Sequence, residues 1–155
     1  MECLQAVYQY LSGITSLQIP SVSGGLKQTD GSMGIYFVTA PQKPNGDVAA
    51  TMPYVCMHIE GQHCTDVFNR NQNIQEAILH LELWVKGRSE VPLSNLRNII
   101  HYHLDRQNIN YPNNFQGLGI TAIKEIGPIR DEEYWSKHLY FDIKWAEQLS
   151  GISGI

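Results

Sequence analysis

The chain has few cysteines, no long apolar run and no block of like charge, and each shortage closes off a class of protein. Its three cysteines, Cys3, Cys56 and Cys64, are an odd number without a CxxC pair, so neither a disulfide framework nor a zinc ribbon is expected. Thiols of this kind fit a reducing compartment. Apolar runs such as residues 54–59 fall far short of the roughly 20 residues a membrane-spanning helix needs. The opening segment, Met1-Glu2-Cys3-Leu4-Gln5-Ala6-Val7, has no basic stretch leading into a long apolar one. No secretory signal is therefore expected, and the cytosol is the default address. Lysine and arginine number 11 against 15 acidic residues, for a net charge of −4. With no cationic cluster to displace phosphate counterions, affinity for nucleic acid through its backbone is not expected.

Signatures of nucleotide and ester chemistry are missing too. Gly24-Gly25 has no lysine followed by serine or threonine after it, GxGxxG is absent, and Gly117-Leu118-Gly119 leads into a strand instead of leaving one for a helix. A GxSxG nucleophile turn is also absent.

What the sequence does contain is core material. Of 155 residues, 43% are apolar and 17% charged, enough to bury one core without metal or disulfide. The expectation is a single domain over residues 1–149 and a flexible tail over residues 150–155, where Ser-Gly-Ile-Ser-Gly-Ile offers no packing pattern. Leu4, Val7, Tyr8 and Leu11 form the stripe of a first helix over residues 2–12, stopped at Gly13. Two polar, glycine-bearing loops follow at about residues 21–34 and 39–52, separated by the β-prone Ile35-Tyr36-Phe37-Val38. Both loops are longer than compact folding requires, which marks them as functional or mobile. Pro53 opens a strand that Gly61 should end.

From Ile74 to Lys86 the alternation is strict. Ala77, Leu79, Leu81, Leu83 and Val85 share one face, while Glu76, Ile78, His80, Glu82, Trp84 and Lys86 share the other. Period two means a strand with one apolar and one mixed face. Pro92 suits the first turn of a second helix over about residues 91–106, with Leu93, Leu96, Ile99, Ile100, His103 and Leu104 as its stripe. A strand over about residues 118–126 should end at Gly127-Pro128. A last one, from Trp135 to Trp145, carries Lys137 as the lone charge on its apolar face. The order predicts an α+β fold: a mixed or antiparallel sheet of at least four strands with two helices packed on one face.

Three constellations have reactive groups. Cys56, His58, His63 and Cys64 are the densest set of metal-type ligands, but Gly61 places the last two in a turn away from the first two, so no metal site is expected. His101 and His103, with Asp105 nearby, point apart by about 200° on a helix and cannot share one task. Glu76, His80 and Glu82 occupy the mixed strand face together with Ile78 and Trp84. That company favours packing over acid chemistry, making Ile78, His80, Glu82 and Trp84 the candidate subunit interface. The acidic Asp131-Glu132-Glu133 reads as a solvated turn.

The layout resembles the small tail terminator or tail completion proteins of tailed bacteriophages. The resemblance lies in the short N-terminal helix from Cys3 to Ser12, the glycine and proline loops, Pro53-Tyr54-Val55 opening a strand, the run from Glu76 to Val85 before Gly87-Arg88-Ser89-Glu90, the second helix with Leu96 and Ile100, and the closing paired strands. It implies a homo-oligomeric ring, usually a hexamer, that caps the tail tube and offers its other face to a neck or head-completion protein. It implies a virion component assembled in the bacterial cytoplasm, with no membrane, no catalysis and no cofactor. DNA would pass through the lumen without specific binding, in keeping with the acidic chain. Gln42, Lys43, Asn45 and Asp47 in the second loop and Lys27 and Asp30 in the first are the candidate contacts with partners above and below the ring. The alternatives are a neck or stopper protein, a binding module with no virion role, and a small metal-dependent hydrolase using His58, His63, Cys64 or Glu82.

Overall fold

Four long strands build one sheet because their alternating apolar residues can all be buried on the same side. The computed structural model describes residues 2–69, 72–110 and 115–148. Helix α1 (Glu2–Ser12) is followed by two single 3-10 turns, Thr15–Leu17 and Ser21–Ser23. Then come β1 (Ile35–Phe37), β2 (Tyr54–Asn69), β3 (Gln72–Lys86), helix α2 (Val91–Leu104), β4 (Gln116–Asp131) and β5 (Tyr134–Gln148). The sheet order is β1-β2-β3-β5-β4. β1 pairs parallel with β2 and every other pairing is antiparallel, so the sheet is mixed and the fold is α+β as the pattern predicted.

The apolar face carries the core. Val55 and Met57 of β2, Ala77 to Val85 at alternate positions of β3, Ile120 of β4 and Leu139, Phe141, Ile143 and Trp145 of β5 are buried there. Both helices cover this one face: α1 through Cys3, Leu4, Val7 and Leu11, and α2 through Leu93, Leu96, Ile100 and Leu104, all in a single cluster. The two helices are tied directly, with the Tyr10 hydroxyl donating to the His103 carbonyl at 2.7 Å. The Asp105 carboxylate, beside the two helix histidines, accepts from the backbone N–H of Ala122 at 2.8 Å, so it anchors β4. Lys137, the charge on the apolar face of β5, is partnered by Glu125 at 3.6 Å, and Glu125 also takes a two-pronged hydrogen bond from Arg97 of α2 at 2.7 and 2.6 Å.

Several sequence-based boundaries fall elsewhere in the structure. β2 does not end at Gly61 but runs to Asn69, because Gly61, at φ +60°, sits in a bulge between the Glu60 and His63 pairings that the ladder absorbs. β4 likewise begins at Gln116 and continues past Gly127-Pro128 to Asp131, with a register shift between Ile126 and Ile129 where proline can sit without a ladder bond. Gly117 lies so close to the Ile109 carbonyl that any Cβ would collide with it, which explains the first glycine of the Gly117-Leu118-Gly119 run. α2 stops at Leu104, two residues short of Arg106, whose φ of +62° leaves the helix. The loop at residues 21–34 holds one of the 3-10 turns. Asp131-Glu132-Glu133 closes the tight β4–β5 hairpin, with Glu132 at φ +58°. The expected C-terminal tail over residues 150–155 lies outside the described residues.

Candidate functional site

Among the described residues no helix crosses the second face of the sheet, and its polar and aromatic residues are ordered by cross-strand register. Tyr54 faces Trp84, Cys56 faces Glu82, His58 faces His80 and Glu60 faces Ile78 across β2 and β3. On the other flank of β3, Ser136 faces Trp84, His138 faces Glu82, Tyr140 faces His80 and Asp142 faces Ile78. The four interface candidates Ile78, His80, Glu82 and Trp84 thus form the central column of this face.

His80 is the hub. Only 8% exposed, it stacks on the Tyr140 ring at 4.3 Å between centroids and 11° between planes. Its Nε2 lies 2.8 Å from Nδ1 of His138, and its Nδ1 lies 3.1 Å from Nε2 of His58 and 3.3 Å from Oε1 of Glu60. His58 Nε2 and Glu60 Oε1 are 2.7 Å apart. Burial first, then the neighbouring His58 and His138, holds the His80 imidazole below its usual pKa. The hydrogen bond from His58 lowers that of Glu60. Lys124 lies over the Tyr140 ring, 4.6 Å from its centroid.

Below the hub, toward the start of β3, Glu76 bridges His63 at 3.4 Å and Lys144 at 3.2 Å. Burial and the Glu76 charge raise the pKa of the adjacent Asp142. Above the hub, Trp84 donates through Nε1 to Glu82 at 2.6 Å and stacks on Tyr54. Ala40, Tyr54 and Cys56 make a small second core with Tyr36, Ala50, Met52 and Trp84, so the loop at residues 39–52 covers this end of the face. Beside it opens a groove of about 770 Å³ lined by Asp47, Val48, Met52, Trp84, Lys86 and Tyr134 among others.

The six loop candidates are all at the surface, and the loops that carry them are built. Lys43 N–H donates to the Asp47 carbonyl at 2.6 Å, the Asn45 amide donates to the Asp47 carboxylate at 3.1 Å, and Gln42 bridges Val48, giving a small hairpin. Asp30 accepts from the Ser32 N–H and hydroxyl at 2.9 and 2.6 Å, and Lys27 bridges Met33. Gln28 and Thr51 exchange two hydrogen bonds, of 3.0 and 2.8 Å, that join the two loops.

Of the metal-type set read from sequence, the structure keeps only His58. Burial and then Glu82 push the Cys56 thiol up to about 11, which keeps it protonated and a poor ligand. His63 and Cys64 lie in β2 rather than in a turn, and His63 meets Glu76. The sequence reading missed instead that His58, Glu60 and His80 converge, their ligand atoms all lying within 4.8 Å of one another. The spacing His58-x-Glu60 on one strand face was the available signal. The approach of His80 and His138 depends on strand register.

No family model matches the chain, and no curated protein matches it. Its fold is similar to that of a chain in the virion of a native gene transfer agent (GTA) particle, with a TM-score of 0.62 and 12% sequence identity. The match covers 94% of this chain and 95% of that one, so the shared fold extends nearly end to end on both sides. No helix among the described residues is long and apolar enough to cross a membrane.

Proposed function

We propose that the chain is a structural subunit of a phage-like particle, forming a ring that caps the tail tube and joins it to the head or neck. The end-to-end fold similarity to a chain of a gene transfer agent virion carries this reading. Three features of the molecule support it. The face without helix cover groups Ile78 and Trp84, both half-buried, with His80 and Glu82 in one column, a mixture suited to a contact between copies. The hydrogen-bonded loops with Gln42, Lys43, Asn45 and Asp47, and with Lys27 and Asp30, project exposed polar side chains toward partners above and below such a ring. The net charge of −4 per chain gives an anionic ring that repels passing DNA instead of holding it. In this reading the subunit performs no reaction.

Light scattering on the purified chain, followed by negative-stain microscopy, is the direct test. A closed ring is expected at high concentration, and a strict monomer at every concentration overturns the reading. Deleting residues 42–47 should leave rings that fail to join tails to heads. Binding of the ring to purified tail-tube protein supports the tail terminator role, and binding only to a head connector moves it to the neck.

A further inference from the structure

Three acceptor-type atoms meet at one point on the second face, and the protons these groups carry cannot satisfy every contact among them. The Glu60 carboxylate only accepts. Its 2.7 Å approach to His58 Nε2 therefore requires the proton of His58 to sit on that nitrogen. His58 Nε2 then has no lone pair for His80, so the 3.1 Å contact makes Nδ1 of His80 the acceptor. The His80 proton is thereby placed on Nε2, where it is donated to Nδ1 of His138 at 2.8 Å. The result is a bare His80 lone pair facing a carboxylate oxygen at 3.3 Å, with one shared proton between them and His58. Reversing the His80 tautomer removes that clash but leaves nothing to donate to His138 Nδ1 unless His138 also reverses, and it puts two N–H groups, of His58 and His80, against each other. With Glu60 ionised, each tautomer pairing of the two imidazoles leaves at least one of the three contacts mismatched.

We propose that His58, Glu60 and His80 bind a divalent first-row transition ion, zinc in particular, through His58 Nε2, His80 Nδ1 and a Glu60 carboxylate oxygen. A cation in place of the shared proton satisfies all three lone pairs together. The dimensions suit it: bonds of about 2.0–2.1 Å at tetrahedral angles set neighbouring donor atoms about 3.3 Å apart. The three separations here are 2.7, 3.1 and 3.3 Å. Two imidazoles and one carboxylate favour zinc or a neighbouring transition ion over calcium or magnesium, which take oxygen ligands. The outer groups are also in place. His138 accepts from the far nitrogen of His80 and fixes the tautomer that presents Nδ1 to the metal, while Tyr140 stacks flat on the ring and fixes its plane. The His58 and Glu60 side chains are 34% and 44% exposed against 10% for His80, so the fourth position opens outward to water or to a donor from another protein. The site does not depend on the virion reading, and it stands or falls on metal binding alone.

The test uses the full chain stripped with chelator and titrated with Zn²⁺ by calorimetry, then with Co²⁺ for the visible absorption of a tetrahedral ion. One ion per chain is expected. His58→Gln, at a half-buried position, and Glu60→Gln, at an exposed one, should each weaken Zn²⁺ binding on the order of a hundredfold or more, and His138→Gln, acting through His80, by about 10–100-fold. His63→Gln should bind as the parent does, and circular dichroism of each variant confirms that it is folded. The proposal is overturned if the parent chain takes up no Zn²⁺ at tenfold excess, or if binding survives His58→Gln and Glu60→Gln. Loss of binding in His63→Gln but not in those two also overturns it.

Discussion

The two faces of the sheet are made from the same five strands, yet they are stabilised differently. On the helix-covered face, period-two apolar residues meet two amphipathic helices, and side chains such as Leu79, Leu81, Leu83 and Phe141 are almost wholly removed from water. Burial of apolar area is the main stabilising term there. On the opposite face the same alternation brings up histidines, carboxylates and aromatic rings, which cover one another through stacking and short polar contacts. The difference separates contributions: one face holds the apolar core, and the other carries the polar and aromatic residues on which the proposed subunit contact and metal site rest.

The comparison breaks first on a core substitution. Leu81→Ala removes a fully buried side chain at the centre of the covered face and should destabilise the chain by about 2–5 kcal/mol, read from the denaturant midpoint. A loss below about 1 kcal/mol would mean that the helices do not pack against β3 as described.

That division was legible in the sequence wherever alternation was unbroken. The faces of β3 and β5 and the stripes of both helices follow from periodicity alone. Strand ends were misplaced at Gly61 and Gly127-Pro128, because glycine and proline read as breakers although a ladder accommodates them as bulges. Reading Gly61 as the end of β2 puts His63 and Cys64 in a turn, whereas both lie in the strand. The histidine cluster was hidden for a different reason. His58, His80 and His138 are 22 and 58 residues apart along the chain, and only the pairing of His58 with His80 and of His138 with the neighbouring Glu82 brings them together. Register of that kind is set by tertiary packing, which no local pattern records.

The second way to sharpen the contrast is to place a charge on the second face. Ile78→Lys puts an ammonium between Glu60 and Asp142, a position without helix cover, so the isolated chain should lose about 1 kcal/mol or less. If this face joins copies in a ring, the same substitution should disperse the assembly in light scattering at concentrations where the parent is a ring. An intact ring with the lysine in place would remove Ile78 from the interface and shift the search to the strand edges.

The smallest expected effect lies at the charged margin of the covered face, where Arg97 of α2 and Lys137 of β5 share Glu125. The Arg97 hydrogen bonds hold the Glu125 carboxyl below its ordinary value of 4.5. A carboxyl whose folded pKa is depressed contributes stability that is present above the unfolded pKa and is lost as pH falls through the folded one. The pair is partly exposed, so its contribution should be about 0.5–1 kcal/mol at neutral pH. Glu125→Gln should therefore lower the denaturant midpoint slightly at pH 7, and the gap from the parent should close as the pH falls below the ordinary carboxylate range. Because this pair lies outside the apolar stripe, the helix-covered face should remain intact in the variant. A gap that stays constant with pH would show that Glu125 acts through packing rather than through its charge.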